Sequence, residues 1–217
     1  MARIIFDLDG TLIDSAPDIQ AVANGVLGAE GYSPITLEQT RSFIGNGAPT
    51  FVARMRAARD IPDSEQGRLL TAFKIGYVSA VDLTVIYDGV VDALCSLRDQ
   101  GHKLGICTNK PFAATEAILK HLDLASFFDA VVGGDTLPHH KPDPAMLFAA
   151  ADAMGEGAIL YVGDSEVDAE TARRADLPFL LYTAGYHKTD PASIPKTASF
   201  DSYSSFVELV ARTLPKS

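Results

Sequence analysis

The chain has 217 residues, is 47% hydrophobic and carries a formal net charge of −10, as is typical of a globular protein of one large domain or two smaller ones. This acidic balance argues against a nucleic-acid-binding protein and against attachment to anionic membranes, because both usually need a basic surface. It does not exclude an anionic substrate, since a metal ion and a few lysines can make one cleft positive.

The cysteines and the apolar runs indicate the compartment. Cys95 and Cys107 form neither a CxxC pair nor a disulfide framework, as is usual in a reducing environment. The apolar run before Asp7 is too short for a signal peptide, and the sequence contains no stretch of 18 apolar residues, the length that would predict a membrane span. We therefore expect a cytoplasmic protein.

Short runs rich in Ile, Leu and Val predict buried strands, and most of them are followed by a polar loop and a helical pattern. The predicted strands are 3–6, 103–107, 130–132, 158–162 and 179–182. The helical patterns outside the region 15–81 are 88–100, 111–122, 144–154, 165–175 and 203–213. The segment 183–199 is predicted to be an irregular loop. This alternation predicts an α/β fold with a Rossmann-like, doubly wound parallel sheet.

The region between residues 15 and 81 differs because it contains no strand-like run. Its predicted helices, separated by breaks that contain Gly or Pro, are 16–29, 36–43, 48–59 and 64–81. Open α/β sheets bind ligands at the carboxyl ends of their strands, so a helical insert after the first strand predicts a small cap over that edge. We expect an α/β core from 1–14 and 82–217 and an all-helical cap from 15–81.

Two carboxylates follow the first predicted strand, in the segment DLDGT at 7–11. Asp7 and Asp9 lie two residues apart on a glycine turn and can converge on one cation. A plain Asp-Gly turn has the same composition. An EF-hand loop fits less well, because its glycine is the sixth residue and Gly10 is the fourth. The residues alone leave the cation site and the plain turn open.

Polar side chains also follow the strand 103–107. The hydroxyl of Thr108, the amide of Asn109 and nearby backbone N–H groups can hold phosphate oxygens at a strand-to-helix turn. A simple helix N-cap would use the same residues, with Pro111 near the first helical position.

A lysine stands in a proline-containing loop before the helix predicted at 144–154. Lys141 can supply a positioned positive charge, although an isolated lysine is more often solvated. His139 and His140 precede it and are predicted to be loop residues, because adjacent histidines rarely converge on one metal without other ligands.

The strand 158–162 leads into the segment GDSEVD at 163–168. Asp164 is placed at the strand end, and Asp168 in the first turn of the next helix. Ser165 with Asp168 makes a capping-box-like start, which explains Asp168 but not Asp164. Because parallel strands end at one edge of a sheet, these carboxylates and the pair after the first strand predict an oxygen site suited to Mg²⁺.

Together these segments resemble, in order and spacing and over the whole chain, the four motifs of the haloacid dehalogenase (HAD) superfamily. DxDGT is similar to the first motif, Thr108 to the second, Lys141 to the third, and Asp164 with Asp168 to the fourth. Asp176 stands where the family usually has Gly after a helix, which we expect to affect backbone geometry more than chemistry. Three stretches are similar to the phosphoglycolate phosphatase branch: DLDGTLIDSAP at 7–17, IGNGA at 44–48 and CTNKP at 107–111.

The resemblance implies a Mg²⁺-dependent phosphatase with a HAD core. Asp7 would be the nucleophile and Asp9 the general acid and base, and Lys141 would also orient Asp7. The implied metal ligands are Asp7, Asp9 through its backbone carbonyl, Asp164 and Asp168. The implied phosphoryl-binding groups are Thr108, Asn109 and Lys141.

The resemblance also implies a cap that closes over a small phosphorylated metabolite. The loop of Gly45, Asn46 and Gly47 would place backbone N–H groups near a substrate carboxylate, and Arg41 would neutralise that carboxylate. An ordinary helix–helix turn and a solvated arginine are the structural alternatives. The sequence leaves a monomer and a homodimer open.

Several activities share these motifs. Hydrolysis of 2-phosphoglycolate is the expected reaction, but a phosphatase for sugar phosphates, pyrophosphate or nucleotides would have the same core, and a sugar-phosphate mutase would keep both aspartates. A halide-releasing dehalogenase would not need Asp9. A non-catalytic binding protein on this scaffold would be expected to lose Asp7, Asp9 or Lys141, and all three are present.

Overall fold

The computed structural model describes residues 1–215. The strands are β1 (Ala2–Phe6), β2 (Ile13–Asp14), β3 (Val85–Ile86), β4 (Lys103–Cys107), β5 (Ala130–Val132), β6 (Ala158–Gly163), β7 (Phe179–Tyr182) and β8 (Ala198–Phe200). The α-helices are α1 (Ala16–Ala29), α2 (Leu37–Phe43), α3 (Gly47–Ala57), α4 (Gln66–Val78), α5 (Val90–Asp99), α6 (Phe112–His121), α7 (Ala145–Ala153), α8 (Glu166–Ala175) and α9 (Phe206–Thr213). Short 3₁₀ turns lie at Asp63–Glu65, Ala125–Phe127, Pro191–Ser193 and Tyr203–Ser205.

Six strands form a parallel sheet in the order β5-β4-β1-β6-β7-β8. The chain builds outward from β1 in both directions, so the strand order reverses beside β1. Open α/β sheets bind ligands at such a switch point. The prediction of an α/β fold with a doubly wound parallel sheet is confirmed.

Alternating side chains of the sheet pack on two hydrophobic cores, as the pleat of a strand dictates. Ile4 and Phe6 face the core that is covered by α5, α6 and α9. Ile5 faces the core that is covered by α7 and α8. Because both faces are buried, the central strands are continuous apolar runs, which made them recognisable in the sequence.

Three strands were not predicted. β8 lies in the segment expected to be an irregular loop, and this expectation is wrong at its last residues: Ala198 and Phe200 pair with Leu180 and Tyr182 of β7. β8 has three residues and lies at the sheet edge, too short for an apolar periodicity to appear. β2 and β3 form a two-residue antiparallel pair that flanks the helical insert at its entry and exit.

The insert between β2 and β3 contains α1 to α4, and its apolar side chains form a separate cluster that also includes Ala114 of α6. Phe73 stacks on Phe51 with ring centroids 5.1 Å apart, and Tyr77 packs on Phe73 at 5.1 Å. The side chain of Thr36 caps α2 in a capping box with Gln39, which satisfies free N–H groups at the start of the helix. None of the helices in the described part of the chain combines the length and apolar character needed to cross a bilayer.

The residue after α8 has the backbone conformation that the sequence suggested. Asp176 is the C-cap of α8 with φ of 54°, in the left-handed region where glycine carries no steric penalty. Asp tolerates this conformation better than most residues, so the departure from the family pattern leaves the helix end intact.

Candidate active site

Three carboxylates meet at the carboxyl end of the two central strands. Asp7 follows β1, Asp164 follows β6, and Asp168 lies in the first turn of α8. One oxygen from each lies within 4.8 Å of the others. The pairing of Phe6 with Val162 brings the two strand ends side by side, so adjacent parallel strands create this cluster.

Asp168 is held by hydrogen bonds to both of its oxygens. Oδ1 accepts from Tyr161 Oη at 2.7 Å and from Lys141 Nζ at 2.7 Å. Oδ2 accepts from the backbone N of Ser165 at 3.1 Å and from its Oγ at 2.6 Å. Burial opposes ionisation, but the charge and hydrogen bond of Lys141 outweigh it and lower the pKa of Asp168. Because both of its oxygens accept these hydrogen bonds, Asp168 is fixed in place and in turn holds the ammonium of Lys141 in position.

Lys141 lies between two carboxylates and is only 4% exposed. Its Nζ is 2.8 Å from Asp7 Oδ1, 2.7 Å from Asp168 Oδ1 and 2.9 Å from Tyr161 Oη. Burial favours the neutral amine, but the charges of Asp168 and Asp7 outweigh burial and raise the pKa of Lys141. The ammonium is therefore charged and fixed at neutral pH.

The backbone of Lys141 is fixed by Asn109. The amide oxygen of Asn109 accepts from Lys141 N at 2.9 Å, and its Nδ2 donates to the Lys141 carbonyl at 3.0 Å. The same Nδ2 donates to the carbonyl of Gly45 in the helical insert at 3.0 Å. Asn109 thus ties the loop after β4 both to Lys141 and to the insert.

Asp164 is oriented by two donors. Thr11 Oγ1 donates to its Oδ1 at 2.9 Å, and the backbone N of Tyr186 donates to its Oδ2 at 2.6 Å. A Cβ at Gly10 would lie 2.4 Å from Asp164 Oδ2, and one at Gly185 would lie 2.3 Å from Asp164 Cβ, so both positions need glycine. Burial, followed by the charges of Asp168 and Asp7, raises the pKa of Asp164.

Asp7 is buried and lacks a complete set of partners. Its Oδ1 has no hydrogen-bond partner within the described chain, although Lys141 Nζ is 2.8 Å away as an ion pair. Burial raises the pKa of Asp7 to about 6, against the lowering effect of Lys141. A buried carboxylate oxygen without a hydrogen bond, beside a second carboxylate whose pKa is raised, fits a divalent cation with oxygen ligands such as Mg²⁺.

Asp9 has different neighbours from the acidic cluster. Its Oδ1 accepts from Ser15 Oγ at 2.5 Å and from Lys110 Nζ at 3.1 Å. Lys110 Nζ also donates to Tyr77 Oη of α4 at 2.6 Å. The side chain of Asp9 therefore belongs to the cleft between the sheet and the helical insert.

This cleft has an empty volume of about 440 Å³, including its opening to solvent. Its polar part contains Asp7 and Asp9, together with Thr108 and the residues that follow it on the loop after β4. The insert contributes an apolar wall and the glycine loop, through Ile19, Ile44, Gly45, Gly47, Ala48, Phe51, Phe73 and Tyr77. A phosphate ester in this cleft would meet both predicted aspartates.

Two residues expected near the substrate lie elsewhere. Arg41 pairs with Asp14 at 3.0 Å, has 45% of its side chain exposed and does not line the cleft. Asn46 accepts from Arg54 Nη2 at 3.0 Å through its Oδ1 and also does not line the cleft. Of the predicted insert residues, the structure brings only Gly45 and Gly47 to the cleft.

The sequence assigns no role to four residues of the site. Lys110 stands beside Thr108 and Asn109, which alone have predicted roles in that segment. In the sequence Tyr161 resembles an apolar strand residue, Ser15 an ordinary residue before a helix, and Tyr77 an ordinary helix residue. Their hydroxyl and ammonium groups become informative only when the tertiary contacts are known.

Known proteins share this sequence and fold. The haloacid dehalogenase-like hydrolase family matches residues 4–182. A phosphoglycolate phosphatase of Cereibacter sphaeroides is 44% identical over 220 residues, which cover 99% of this chain and all of the relative. One from Pseudomonas putida is 39% identical, covering 87% of this chain and 71% of the relative.

The fold comparison agrees. The crystal structure of a predicted phosphoglycolate phosphatase from Haemophilus somnus superposes with a TM-score of 0.88 at 28% identity, covering 97% of this chain and 98% of that one. Family, motifs and fold therefore coincide, as the sequence resemblance indicated. The chain belongs to the haloacid dehalogenase-like hydrolases and is a phosphatase of the phosphoglycolate phosphatase-like branch.

Proposed function

We propose that this phosphatase hydrolyses 2-phosphoglycolate in a Mg²⁺-dependent reaction that passes through an aspartyl-phosphate on Asp7. The observation that carries the proposal is the buried Oδ1 of Asp7, which has no hydrogen-bond partner within the described chain and lies 2.8 Å from Lys141 Nζ. An ionised carboxylate beside a fixed ammonium, at the floor of a cleft, is suited to attack phosphorus.

In the proposed first step, a carboxylate oxygen of Asp7 forms a bond to phosphorus while the bond from phosphorus to the ester oxygen breaks. Asp9 donates its proton to the departing alkoxide, which leaves as the alcohol. Asp9 is suited to this role because it lines the cleft and its side chain contacts Ser15 and Lys110 rather than the acidic cluster.

In the second step, Asp9 removes a proton from water while the water oxygen bonds to phosphorus. The bond between phosphorus and Asp7 then breaks, which releases inorganic phosphate and restores the carboxylate. Asp9 is protonated again, so both aspartates return to their starting states.

The phosphoryl oxygens would be held by the hydroxyl of Thr108, the backbone N–H of Asn109 and the ammonium of Lys141. The side-chain amide of Asn109 already donates both of its hydrogens to the carbonyls of Lys141 and Gly45. Fixed donors of this kind stabilise charge that develops in the transition state without reorganising. Because Asp168 and Tyr161 hold Lys141 from the other side, its ammonium is pre-positioned.

Asp7, Asp164 and the backbone carbonyl of Asp9 would hold Mg²⁺, with Asp168 nearby. The ion supplies positive charge that offsets the repulsion between a phosphate dianion and the buried carboxylates. Asp168 acts mainly through Lys141, because four hydrogen bonds already engage its oxygens.

The proposed domain division is a core of 1–14 and 82–217 and a cap of 15–81. Supporting it, the apolar side chains of the cap form a separate cluster, together with Ala114 of α6, and the cap connects to the core through β2 and β3. The cap presents to the cleft an apolar wall that includes Phe51 and Phe73.

A panel of phosphate esters assayed with and without Mg²⁺ tests this function. After EDTA treatment and desalting, turnover is expected to fall at least about 10³-fold, since metal charge stabilisation is worth several kcal/mol. Mg²⁺ is expected to restore turnover, and EDTA presaturated with Mg²⁺ serves as the control for EDTA itself. Undiminished turnover in the metal-free protein would contradict the proposal.

In the same panel, 2-phosphoglycolate is expected to have the highest kcat/KM among sugar phosphates, nucleotides and pyrophosphate. A low rank for 2-phosphoglycolate would overturn the substrate and leave the phosphatase activity standing.

Asp9→Asn is expected to separate the two steps. With 2-phosphoglycolate, kcat should fall about 10²- to 10⁴-fold, because an alkoxide leaves poorly without a proton. With p-nitrophenyl phosphate, whose phenolate leaves without help, a rapid burst of one nitrophenolate per site should precede a slow steady state limited by hydrolysis of the aspartyl-phosphate. Stopped-flow absorbance measures the burst, and Asp201→Asn, which makes the same change at an exposed aspartate outside the cleft lining, is the control. If Asp9→Asn turns over both esters at the wild-type steady-state rate, Asp9 takes no part in the proton transfers.

A further inference from the structure

We infer that Lys110 binds a carboxylate of the leaving alcohol and thereby sets a preference for phosphate esters with a carboxylate close to the ester oxygen. This inference deepens the proposed function and rests on it. From the sequence alone, Arg41 and the glycine loop are the groups predicted to meet such a carboxylate.

Lys110 is the charged group best placed for this role. It is 6% exposed and lies on the loop between β4 and α6, at the side of the cleft that faces the insert. Among the described residues that line the cleft it is the one cation, beside Asp7, Asp9 and an apolar wall. A buried anion in such surroundings needs a partner of opposite charge.

The hydrogen bonds of Lys110 leave capacity for a ligand. An ammonium has three donors, and in the described chain two of them are engaged, by Asp9 Oδ1 at 3.1 Å and Tyr77 Oη at 2.6 Å. Both partners line the cleft, so the ammonium is held within it. A carboxylate in the cleft can therefore accept the remaining donor without displacing the contact to Asp9.

The chemistry of the leaving group fixes how far a carboxylate can be from Lys110. Asp9 protonates the ester oxygen in the proposed reaction, and Lys110 contacts Asp9 directly. A carboxylate one methylene away from that oxygen lies beside Asp9 and within reach of the ammonium. A carboxylate on a long chain would instead meet the apolar wall formed by Phe51 and Phe73.

Three further cations, none of which lines the cleft, are already engaged. Arg41 pairs with Asp14 outside the cleft lining. Lys188 donates to the carbonyl of Ile44 at 2.9 Å and also does not line the cleft. Arg54 donates to Asn46 and to the carbonyl of Phe43. Lys110 is thus the cation that a bound carboxylate would meet.

A competing role for Lys110 is to position Asp9 alone. Two substrates separate the two roles: 2-phosphoglycolate, and 2-hydroxyethyl phosphate, which has the same chain length and a neutral hydroxyl. Any loss that acts through Asp9 affects both esters equally and cancels in the ratio of their kcat/KM values. Recognition of the carboxylate changes that ratio.

In Lys110→Met, the preference for 2-phosphoglycolate over 2-hydroxyethyl phosphate is expected to fall about 10- to 100-fold, the usual effect of one hydrogen bond between charged groups. Lys110→Arg, which keeps the charge, should restore part of the preference. Lys188→Met, which removes a lysine at the cleft rim, should leave the ratio unchanged, and thermal melting checks that each variant folds.

Equal losses for both esters in Lys110→Met would overturn the inference and assign Lys110 to the positioning of Asp9. If wild type hydrolyses both esters equally well, the inference fails while the phosphatase activity stands. If wild type hydrolyses neither ester with Mg²⁺ present, the proposed function itself fails.

Product inhibition of wild type gives a test that needs no variant. Glycolate is expected to inhibit at a concentration at least about 10-fold lower than ethylene glycol, because only glycolate offers a carboxylate to Lys110. Equal inhibition by both products would also overturn the inference.

Discussion

Asp7→Asn is expected to keep its fold and to lose turnover of every phosphate ester by at least about 10⁴-fold. An amide has nearly the shape of a carboxylate but is a poor nucleophile, and removal of a nucleophile typically has the largest effect in a catalytic unit. Stability should be preserved, because three buried carboxylates, Asp7, Asp164 and Asp168, lie close together, and Lys141 forms ion pairs with Asp7 and Asp168. Removing one negative charge relieves their repulsion.

Trapping of the intermediate measures this prediction. When wild type is mixed with ³²P-labelled substrate and quenched in acid, label should stay on the protein, and the labelled peptide should contain Asp7. Asp7→Asn should carry none. The matched control is Asp201→Asn, an exposed aspartate that follows the edge strand β8 as Asp7 follows β1, and it should label like wild type. Label on the Asp7→Asn protein would show that another group is the nucleophile.

The position of Asp7 and Asp164 could be predicted because it depends only on local rules. Each aspartate follows a run of apolar residues, and parallel strands that are buried on both faces end at one edge of the sheet. Thr108 and Asn109 follow β4, the neighbour of β1, by the same rule. Motif order and sheet topology were therefore enough to bring these side chains together.

The residues that support the aspartates could not be predicted in this way. Tyr161 lies within β6 and contacts Lys141 and Asp168, but in the sequence it is one aromatic residue among apolar ones. The contact between Lys110 and Tyr77 depends on how α4 lies over the sheet, which no local pattern encodes. For Arg41, the sequence predicts a charge that is available to a substrate carboxylate. In the structure its guanidinium instead pairs with Asp14.

Local sequence patterns also decide which secondary-structure elements could be predicted. A helix with apolar periodicity and a proline in its first turn, such as α1 at Ala16–Ala29, coincides with its predicted range. Two- and three-residue strands carry too few residues for a period to appear, and their pairing depends on a neighbour that is distant in sequence. This is why β2, β3 and β8 emerged only in the structure.

Lys141→Met is expected to lower kcat about 10³- to 10⁴-fold and to reduce the free energy of unfolding by about 3–5 kcal/mol. Methionine keeps much of the length of the side chain but removes the charge that Asp7 and Asp168 share at 2.8 and 2.7 Å. Both carboxylates are buried, so each then remains in the protein without its cation. The loss of turnover follows from the proposed reaction, in which the ammonium both orients Asp7 and binds the phosphoryl oxygens.

Chemical denaturation in metal-free buffer measures the stability, and Lys103→Met is the matched control. Lys103 Nζ donates to the carbonyl of Met154 at 2.7 Å. It forms no salt bridge with a residue of the described chain. Its loss should cost about as much as one ordinary hydrogen bond, roughly 1 kcal/mol. A loss of similar size in both variants would mean that Lys141 does not balance the buried carboxylates.

A double-mutant cycle with Asp168→Asn separates the two roles of Lys141. Removing the carboxylate that Lys141 neutralises should return part of the lost stability, with a coupling of about 1–3 kcal/mol. Turnover should remain low in the double variant, because neither change restores a cation beside Asp7 and the phosphoryl group. Additive effects on stability would contradict direct coupling between Lys141 and Asp168. Recovery of turnover together with stability would show that the ammonium serves folding and that another group stabilises the transition state.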